Sequence, residues 1–415
     1  MPFFRPTMLR HALLVRAFAL LTACLCAATP IRAVKYLPFV FADHLYVQIT
    51  LDSVQKARFI YDTGASFSCI DSTYRAAVPA LSKLSTARAR LGGVGNGEQC
   101  VPLLTAPLTF AAGGAGGCLT PAPVVDLRAI VGRYADGIIG QQAFGKGALG
   151  IEFSTGRLAL YAPGEKLPTQ GYKRYVLRKT KNGLWYIRAR LALDGRSVEG
   201  DFLVDTGSGG GLILTAETAA RHGILATSKP QNRFDCAVGG LGGASSRVYV
   251  RADSLCLGEA TLTDFPVACS LDSAGMLSAR GYAGIVGNRV LQCFDLLFDP
   301  AHAALYLRLR PEMPGKLRHA HCNVLGFGYV DRTDIGRGWI VNGVFARSHA
   351  AGAGLRTGDC IVAFDGRPTA GMPWSKAFLF GEDSRGPQLG ATVRLTVWRD
   401  GALREIVLPA DGDVL

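Results

Sequence analysis

The phrase "FIYDTGAS", Phe59 to Ser66, returns later in the chain as "FLVDTGSG", Phe202 to Gly209. The two aspartates, Asp62 and Asp205, are 143 residues apart, and the landmarks around them keep nearly that spacing. "DGIIG" ends at Gly140 and "AGIVG" at Gly287, an offset of 147. Gly92-Gly93-Val94-Gly95 stands opposite Gly239-Gly240-Leu241-Gly242 at the same offset. "IEFSTGRLALY" and "LLFDPAHAALY" match Phe153 to Phe298 and Tyr161 to Tyr306, offset by 145. A chance recurrence of three letters would not carry its surroundings with it. The chain therefore contains a duplicated unit and must fold as two copies of it.

Each copy is built from short apolar segments bounded by Gly, Asp, Asn and Pro, such as "YVQITLD", "WYIRARLALDG" and "VRLTVWRDG". These are strands closed by tight turns, not amphipathic helices. The 51 glycines among 415 residues agree with a turn-rich, mainly β protein, and the length suits two or three domains.

An aspartate on a glycine-containing turn after a buried strand is presented out of the sheet into a cleft. Gly64 and Gly207 permit backbone arrangements that a side chain would block. Two such turns packed about a pseudo-two-fold axis bring Asp62 and Asp205 together. Like charges a few Å apart do not both ionise easily, so one carboxyl keeps its proton while the other is a base. Such a pair can take a proton from a bound water and give one to a peptide carbonyl, and its two apparent pKa values belong to the pair.

Taken with the Gly-rich hairpins and the apolar-apolar-Gly of "IIG" and "IVG", "DTGAS" and "DTGSG" resemble the retropepsin-type aspartic peptidases over roughly residues 40–310. The resemblance implies a two-fold pseudo-symmetric acid-protease fold, half 1 at 34–165 and half 2 at 166–310, with Asp62 and Asp205 as the catalytic dyad and no cofactor or metal. Thr63 and Thr206 would lock the turns to one another across the interface. Gly93, Val94 and Gly95 would tip one flap, and Gly240, Leu241 and Gly242 the other, over an extended peptide or unfolded protein substrate. Ala65 follows the first Asp-Thr-Gly but Ser208 follows the second. A hydroxyl from Ser208 to the carboxylate would make Asp205 the more acidic member. The glycines at 92–97 also resemble half a nucleotide loop, but no helix-forming run or Walker-type Lys follows them.

Residues 311–323, "PEMPGKLRHAHCN", form a linker on this reading. Beyond it, "LGFGYV" and "AGLRTGDCIVAFDG" resemble a PDZ domain, α+β, over 324–410. The resemblance implies that the amides of Leu325, Gly326, Phe327 and Gly328 cradle a peptide carboxylate. An exposed strand edge beside this loop would add a peptide strand by main-chain hydrogen bonds. The stretch expected to supply the groove helix, "MPWSKAFLFGEDSRGPQLGA", is irregular, so Phe378 and Phe380 are candidates to fill the groove.

The start of the chain has the pattern of an export signal over 1–33: basic Arg5, Arg10 and Arg16, then the short apolar "AFALLTACLCAA". Two cleavage readings stand open. Leu21-Thr22-Ala23-Cys24 resembles a lipobox, which would make Cys24 a lipid anchor after a 1–23 signal; the other is ordinary cleavage between Ala28 and Ala33. Either places the protein in the periplasm or on a membrane facing it, with secretion the lesser alternative. Eleven cysteines fit an oxidising compartment. Cys100 with Cys118, and Cys256 with Cys269, are close enough to bridge neighbouring strands, whereas Cys69, Cys293 and Cys360 read as small buried side chains. His319, His321 and Cys322 crowd together without a fourth partner, a poor zinc site. The net charge of +13 falls to +9 once four leader arginines are removed. The run "KRYVLRKTK", Lys173 to Lys181, is taken as a solvated strand face, so no nucleic-acid partner is expected.

Two function classes remain: an exported aspartic endopeptidase with a PDZ module for substrates or partners, and a non-catalytic peptide-binding or assembly protein on a peptidase scaffold.

Overall fold

The structure is a computed structural model that describes residues 34–52, 55–180, 183–318, 322–372, 391–410 and 414–415. The leader with Cys24, the pair His319 and His321, and Phe378 and Phe380 lie outside the described residues. The fold is mainly β, and the longest described helices, Ser72–Ala77 and Ala216–Arg221, have six residues each.

In the first half, strands His44–Leu51 and Gln55–Asp62 form an antiparallel pair with Tyr46 opposite Ile60. Gly137–Gly140 runs parallel to the second of them, with Gly140 opposite Asp62. The second half repeats this arrangement. Trp185–Leu193 pairs with Arg196–Val204, and Gly284–Val286 runs parallel with Val286 opposite Val204. Phe59, Ile60, Tyr61, Phe202, Leu203 and Val204 are all buried. Strands covered on both faces need such unbroken apolar runs, which is why each Asp-Thr-Gly follows three apolar residues.

The halves are joined by a six-stranded antiparallel sheet. Its order is Lys35–Ala42, Arg157–Leu160, Leu149–Glu152, Phe294–Asp299, Ala304–Leu309 and Lys173–Lys179. At its centre Leu149 pairs with Phe298 and Ile151 with Leu296. A shift of 147 residues exchanges these two pairs, so the pseudo-symmetry of the interface follows the offset of the glycine landmarks and sets Ile151, not Phe153, equivalent to Phe298. One apolar cluster runs through both halves, from Leu45 and Phe59 to Phe202 and Phe298.

Residues beyond 322 form a smaller sheet of Phe327–Asp331, Trp339–Phe345, Cys360–Phe364, Ala391–Arg399 and Ala402–Ala410. A short helix, His349–Gly352, is capped by the Ser348 hydroxyl, which accepts from the Ala351 N–H at 3.1 Å. The core of this unit, including Phe327, Trp339 and Val397, is continuous with Tyr46, Ile60 and Ile138 of the first half.

Three expectations change. Neither expected cysteine bridge forms: Cys100 lies beside the Arg88 guanidinium and Cys118 beside Thr120, and Val248, not Cys256, stands opposite Cys269. Cys69 and Cys293 are buried, but Cys360 is only half-buried and accepts from the Gly338 N–H. The stretch read as linker contains a helix, Met313–Leu317, whose Met313 and Leu317 are drawn into the core by their apolar side chains. The basic run lies on the exposed face of the strand Lys173–Lys179, as expected, with Lys173 paired to Glu259, Arg178 to Asp201, and Lys179 over the Trp185 ring.

Candidate active site

Asp62 and Asp205 sit at the ends of the two matching strands and meet at the pseudo-two-fold axis. Each carboxylate accepts from the glycine N–H of its own turn, Gly64 at 2.7 Å and Gly207 at 2.8 Å. Each also lies against the opposite glycine. A Cβ on Gly64 would overlap the Asp205 carboxyl, and one on Gly207 would overlap that of Asp62. Neither glycine has a positive φ. The sequence expectation of special backbone freedom is therefore replaced by a spatial reason: only hydrogen leaves room for the other half's carboxyl.

The threonines fix this approach reciprocally. The Thr63 N–H donates to Thr206 Oγ1 and the Thr206 N–H to Thr63 Oγ1, both at 3.0 Å. Each hydroxyl in turn donates to a main-chain carbonyl of the other half, Thr63 to Val204 at 2.7 Å and Thr206 to Tyr61 at 2.9 Å. Both threonines are buried, so every polar atom in the exchange depends on its partner.

Burial raises the pKa of both aspartates, and for Asp205 the charge of and hydrogen bond with Asp62 push it further, well above the ordinary value. Amides favour the charged form on both sides, those of Gly64, Ala65 and Gly207 for Asp62 and those of Gly207 and Ser208 for Asp205. Burial of two carboxyls in contact therefore favours one retained proton on the pair. The expected route from Ser208 to Asp205 changes. The Ser208 hydroxyl points towards Gly287 and Gly210, and Ser208 approaches Asp205 through its backbone N–H instead.

The two expected flaps are hairpins: Thr86–Gly92 with Glu98–Leu104, and Gln231–Gly240 with Gly243–Leu257. Their tips touch. The Gly97 N–H donates to Gly242 O at 2.8 Å, and the Gly242 N–H donates to Val94 O at 2.7 Å. Gly95, at φ 111°, leaves no space for a side chain, since a Cβ would lie 2.6 Å from the Gly242 carbonyl carbon. The tip side chains cross over. Val94 of the first half packs on Tyr186, Leu203 and Leu277 of the second, while Leu241 packs on the cluster containing Tyr46, Ile60 and Leu91 of the first. Gly93, Val94, Gly95, Gly240, Leu241 and Gly242 thus meet in one contact between the two halves.

Sequence reasoning missed three contributors. Asn288, fully buried after Gly287, donates through Nδ2 to Thr206 O at 2.8 Å and to Asp43 O at 2.6 Å, tying the second turn to the first half. The signal was present, because an amide side chain also follows Gly140 as Gln141. Asn96 accepts from the N–H groups of Ser273 and Ala274 at 2.8 and 3.0 Å, pinning the first flap to a loop of the second half. Tyr186 and Tyr282, with rings 5.5 Å apart, line the side of Asp205 and feel its charge.

The residues expected to cradle a carboxylate are arranged differently. Leu325 and Phe327 are buried in the core of the C-terminal unit. The Gly326 N–H already donates to Asn323 Oδ1 at 2.7 Å, which takes one amide out of such a cradle. Gly328 lies in the strand Phe327–Asp331, against the Phe234 ring.

The mainly β, two-fold repeated architecture with two carboxyls at matched turns is consistent with an aspartic-protease fold. A family profile described as Aspartyl protease matches residues 189–280, the region that holds the second Asp-Thr-Gly and its flap. The chain is also similar to the magnetosome formation protease MamE of Paramagnetospirillum magneticum (strain ATCC 700264 / AMB-1), 40% identical over 76 residues. That stretch covers 18% of this chain and 10% of the relative, so the chain spans about a tenth of the protein it matches.

Proposed function

We propose that the protein is an aspartic endopeptidase in which Asp62 and Asp205 activate one water between them. The carrying observation is the reciprocal seating of each carboxyl against the glycine of the opposite turn, with flaps that meet. One carboxyl of the pair is the base that takes a proton from water, while the other, protonated, donates to the scissile carbonyl. The gem-diol that results collapses with protonation of the leaving amine, and neither a covalent intermediate nor a metal enters the scheme. An extended segment is the substrate shape suited to a site closed by two flaps that meet. Unfolded protein or flexible peptide is the fitting substrate class.

The C-terminal unit is proposed as a PDZ-like module, supported by its strand order and by "AGLRTGDCIVAFDG" on the turn before Cys360–Phe364. Export, with Cys24 as a lipidation candidate, is proposed from the leader pattern.

The test is cleavage of a reduced, carboxymethylated protein by the purified chain from pH 3 to 8, beside Asp62→Asn and Asp205→Asn. Loss of at least about 1,000-fold in both variants is expected, since each removes one half of an acid–base pair. Equal cleavage by all three chains would assign the activity elsewhere. A silent wild type that still binds the unfolded protein would favour the scaffold reading.

A further inference from the structure

A groove of about 840 Å³ opens in the C-terminal unit, walled by 336–338, 356–360 and the hairpin end 398–400. None of Leu325, Gly326, Phe327 and Gly328 lines it, so it is separate from the expected carboxylate cradle. Its backbone is open. Gly336 and Gly358 take positive φ, 72° and 94°, and a Cβ on either would meet nothing within 4 Å. One carboxylate of the lining is already neutralised. Asp359, buried, accepts from Arg399 Nε at 2.6 Å and Nη2 at 2.5 Å, and from the Arg356 N–H at 2.8 Å. Arg337 and Arg356 are exposed and, among the described residues, their side chains form no ion pair. Asp400, on the hairpin turn, is the other carboxylate of the lining, so the groove keeps a positive excess.

The same hairpin presents an apolar pair on its outer face. Trp398, which lines the groove, stands opposite Leu403, and the two are 48% and 62% exposed. Val407, on the same face as Leu403, is exposed as well. The alternate residues of these strands, Val393, Leu395, Val397, Ile406 and Leu408, already fill the core of the unit, so the core does not account for the outer pair. Single exposed apolar residues are ordinary, but here a Trp–Leu pair adjoins two free guanidiniums. That combination suits a lipid–water interface. An indole settles at headgroup depth, an aliphatic side chain reaches the acyl boundary, and a guanidinium fork takes a phosphate.

We propose that this face docks on a lipid bilayer bearing anionic headgroups, with a headgroup phosphate taken by Arg337 and Arg356 and with Trp398 and Leu403 entering the interface. Two other occupants fit less well. A second copy docked face to face would cover the apolar pair but set one positive rim against another. A soluble acidic partner would satisfy the guanidiniums and leave Leu403 without a role. An anionic membrane answers both features at once, and its attraction weakens with salt because the two arginines are exposed.

Docking is read without any cleavage, so it stands or falls separately from the peptidase chemistry. The full chain is sedimented with vesicles of phosphatidylcholine alone and of equal parts phosphatidylcholine and phosphatidylglycerol. The leader is common to wild type and variants, so differences between the chains report on this face. The double variant Arg337→Gln with Arg356→Gln should partition about 25-fold more weakly than wild type onto the anionic vesicles, at about fivefold for each arginine. Trp398→Ser with Leu403→Ser should lose at least about tenfold on the same vesicles through its missing apolar contact. Tryptophan emission should shift to the blue when the wild type meets anionic vesicles, and the shift should shrink in Trp398→Phe. Equal partition of wild type and both double variants, at unchanged unfolding midpoints, overturns the site. So does wild-type binding to neutral vesicles as strong as to anionic ones. A dimer in analytical ultracentrifugation that Leu403→Ser dissolves, in a chain that ignores vesicles, would assign the face to a second copy. Retention on poly-glutamate that the Trp398→Ser and Leu403→Ser chain keeps, again without vesicle binding, would assign it to an acidic protein.

Discussion

At the residue scale the dyad is controlled by what is absent as much as by what is present. Alanine at position 207 would place its Cβ inside the Asp62 carboxyl, so Gly207→Ala should cost at least about 100-fold in kcat while the chain remains folded, measurable by cleavage assay and circular dichroism. Ser208→Ala should leave the pH–rate profile unmoved, because the serine reaches Asp205 through its backbone N–H. The raised pKa of Asp205 also has a sign for stability. The folded chain holds this proton more tightly than the unfolded chain, so the stabilisation is full below the ordinary carboxylate pKa and is lost as pH rises through the folded value. Asp205→Asn should consequently melt a few degrees above wild type near pH 8, with the gap closing near pH 3; a scan of melting temperature against pH checks it. Much of this site was legible in the sequence, since Asp-Thr-Gly and the residues beside it act locally. The reciprocal seating was not legible: the fit of Gly207 against the Asp62 carboxyl exists only once the turns face each other.

At the scale of elements, the duplicated hairpins were readable from their glycines, but not the surfaces they meet. Val94 and Leu241 each rest on the opposite half, a crossing that follows from the pseudo-two-fold and not from local pattern. Gly95 is required twice over, by its φ of 111° and by its approach to Gly242. Gly95→Ala should therefore hold the flap tips apart, raising amide exchange across 92–97 and 240–244 and lowering kcat/KM roughly tenfold or more for an extended peptide. Unchanged exchange would mean that the tips do not meet in solution. The strand Gln231–Gly240 was equally opaque from sequence. Its pairing with Trp339–Phe345 joins segments more than a hundred residues apart, and neither carries a mark of the other.

At the scale of the whole molecule, the linker-and-module picture gives way to shared cores. A loose tether would leave the C-terminal unit to unfold alone, but Trp339 and Val397 belong to the same apolar cluster as Tyr46 and Ile60, and Met313 and Leu317 are packed into the core common to both halves. The sequence marks of a linker, two prolines and a glycine between apolar runs, describe the local backbone well. They say nothing of Met313 and Leu317, whose burial is decided by the surface they happen to cross. Shared cores predict one main unfolding transition by scanning calorimetry. Phe345 is the sharpest probe, since it is buried between Phe234 and Tyr249 of the flap yet belongs to the C-terminal unit. Phe345→Ala should lower the whole transition by about 3–5 kcal/mol, the usual cost of deleting a buried aromatic ring, without dividing it. A separate early transition in the variant, with the main peak unmoved, would show that the flap and the C-terminal unit part company more easily than their continuous sheet requires.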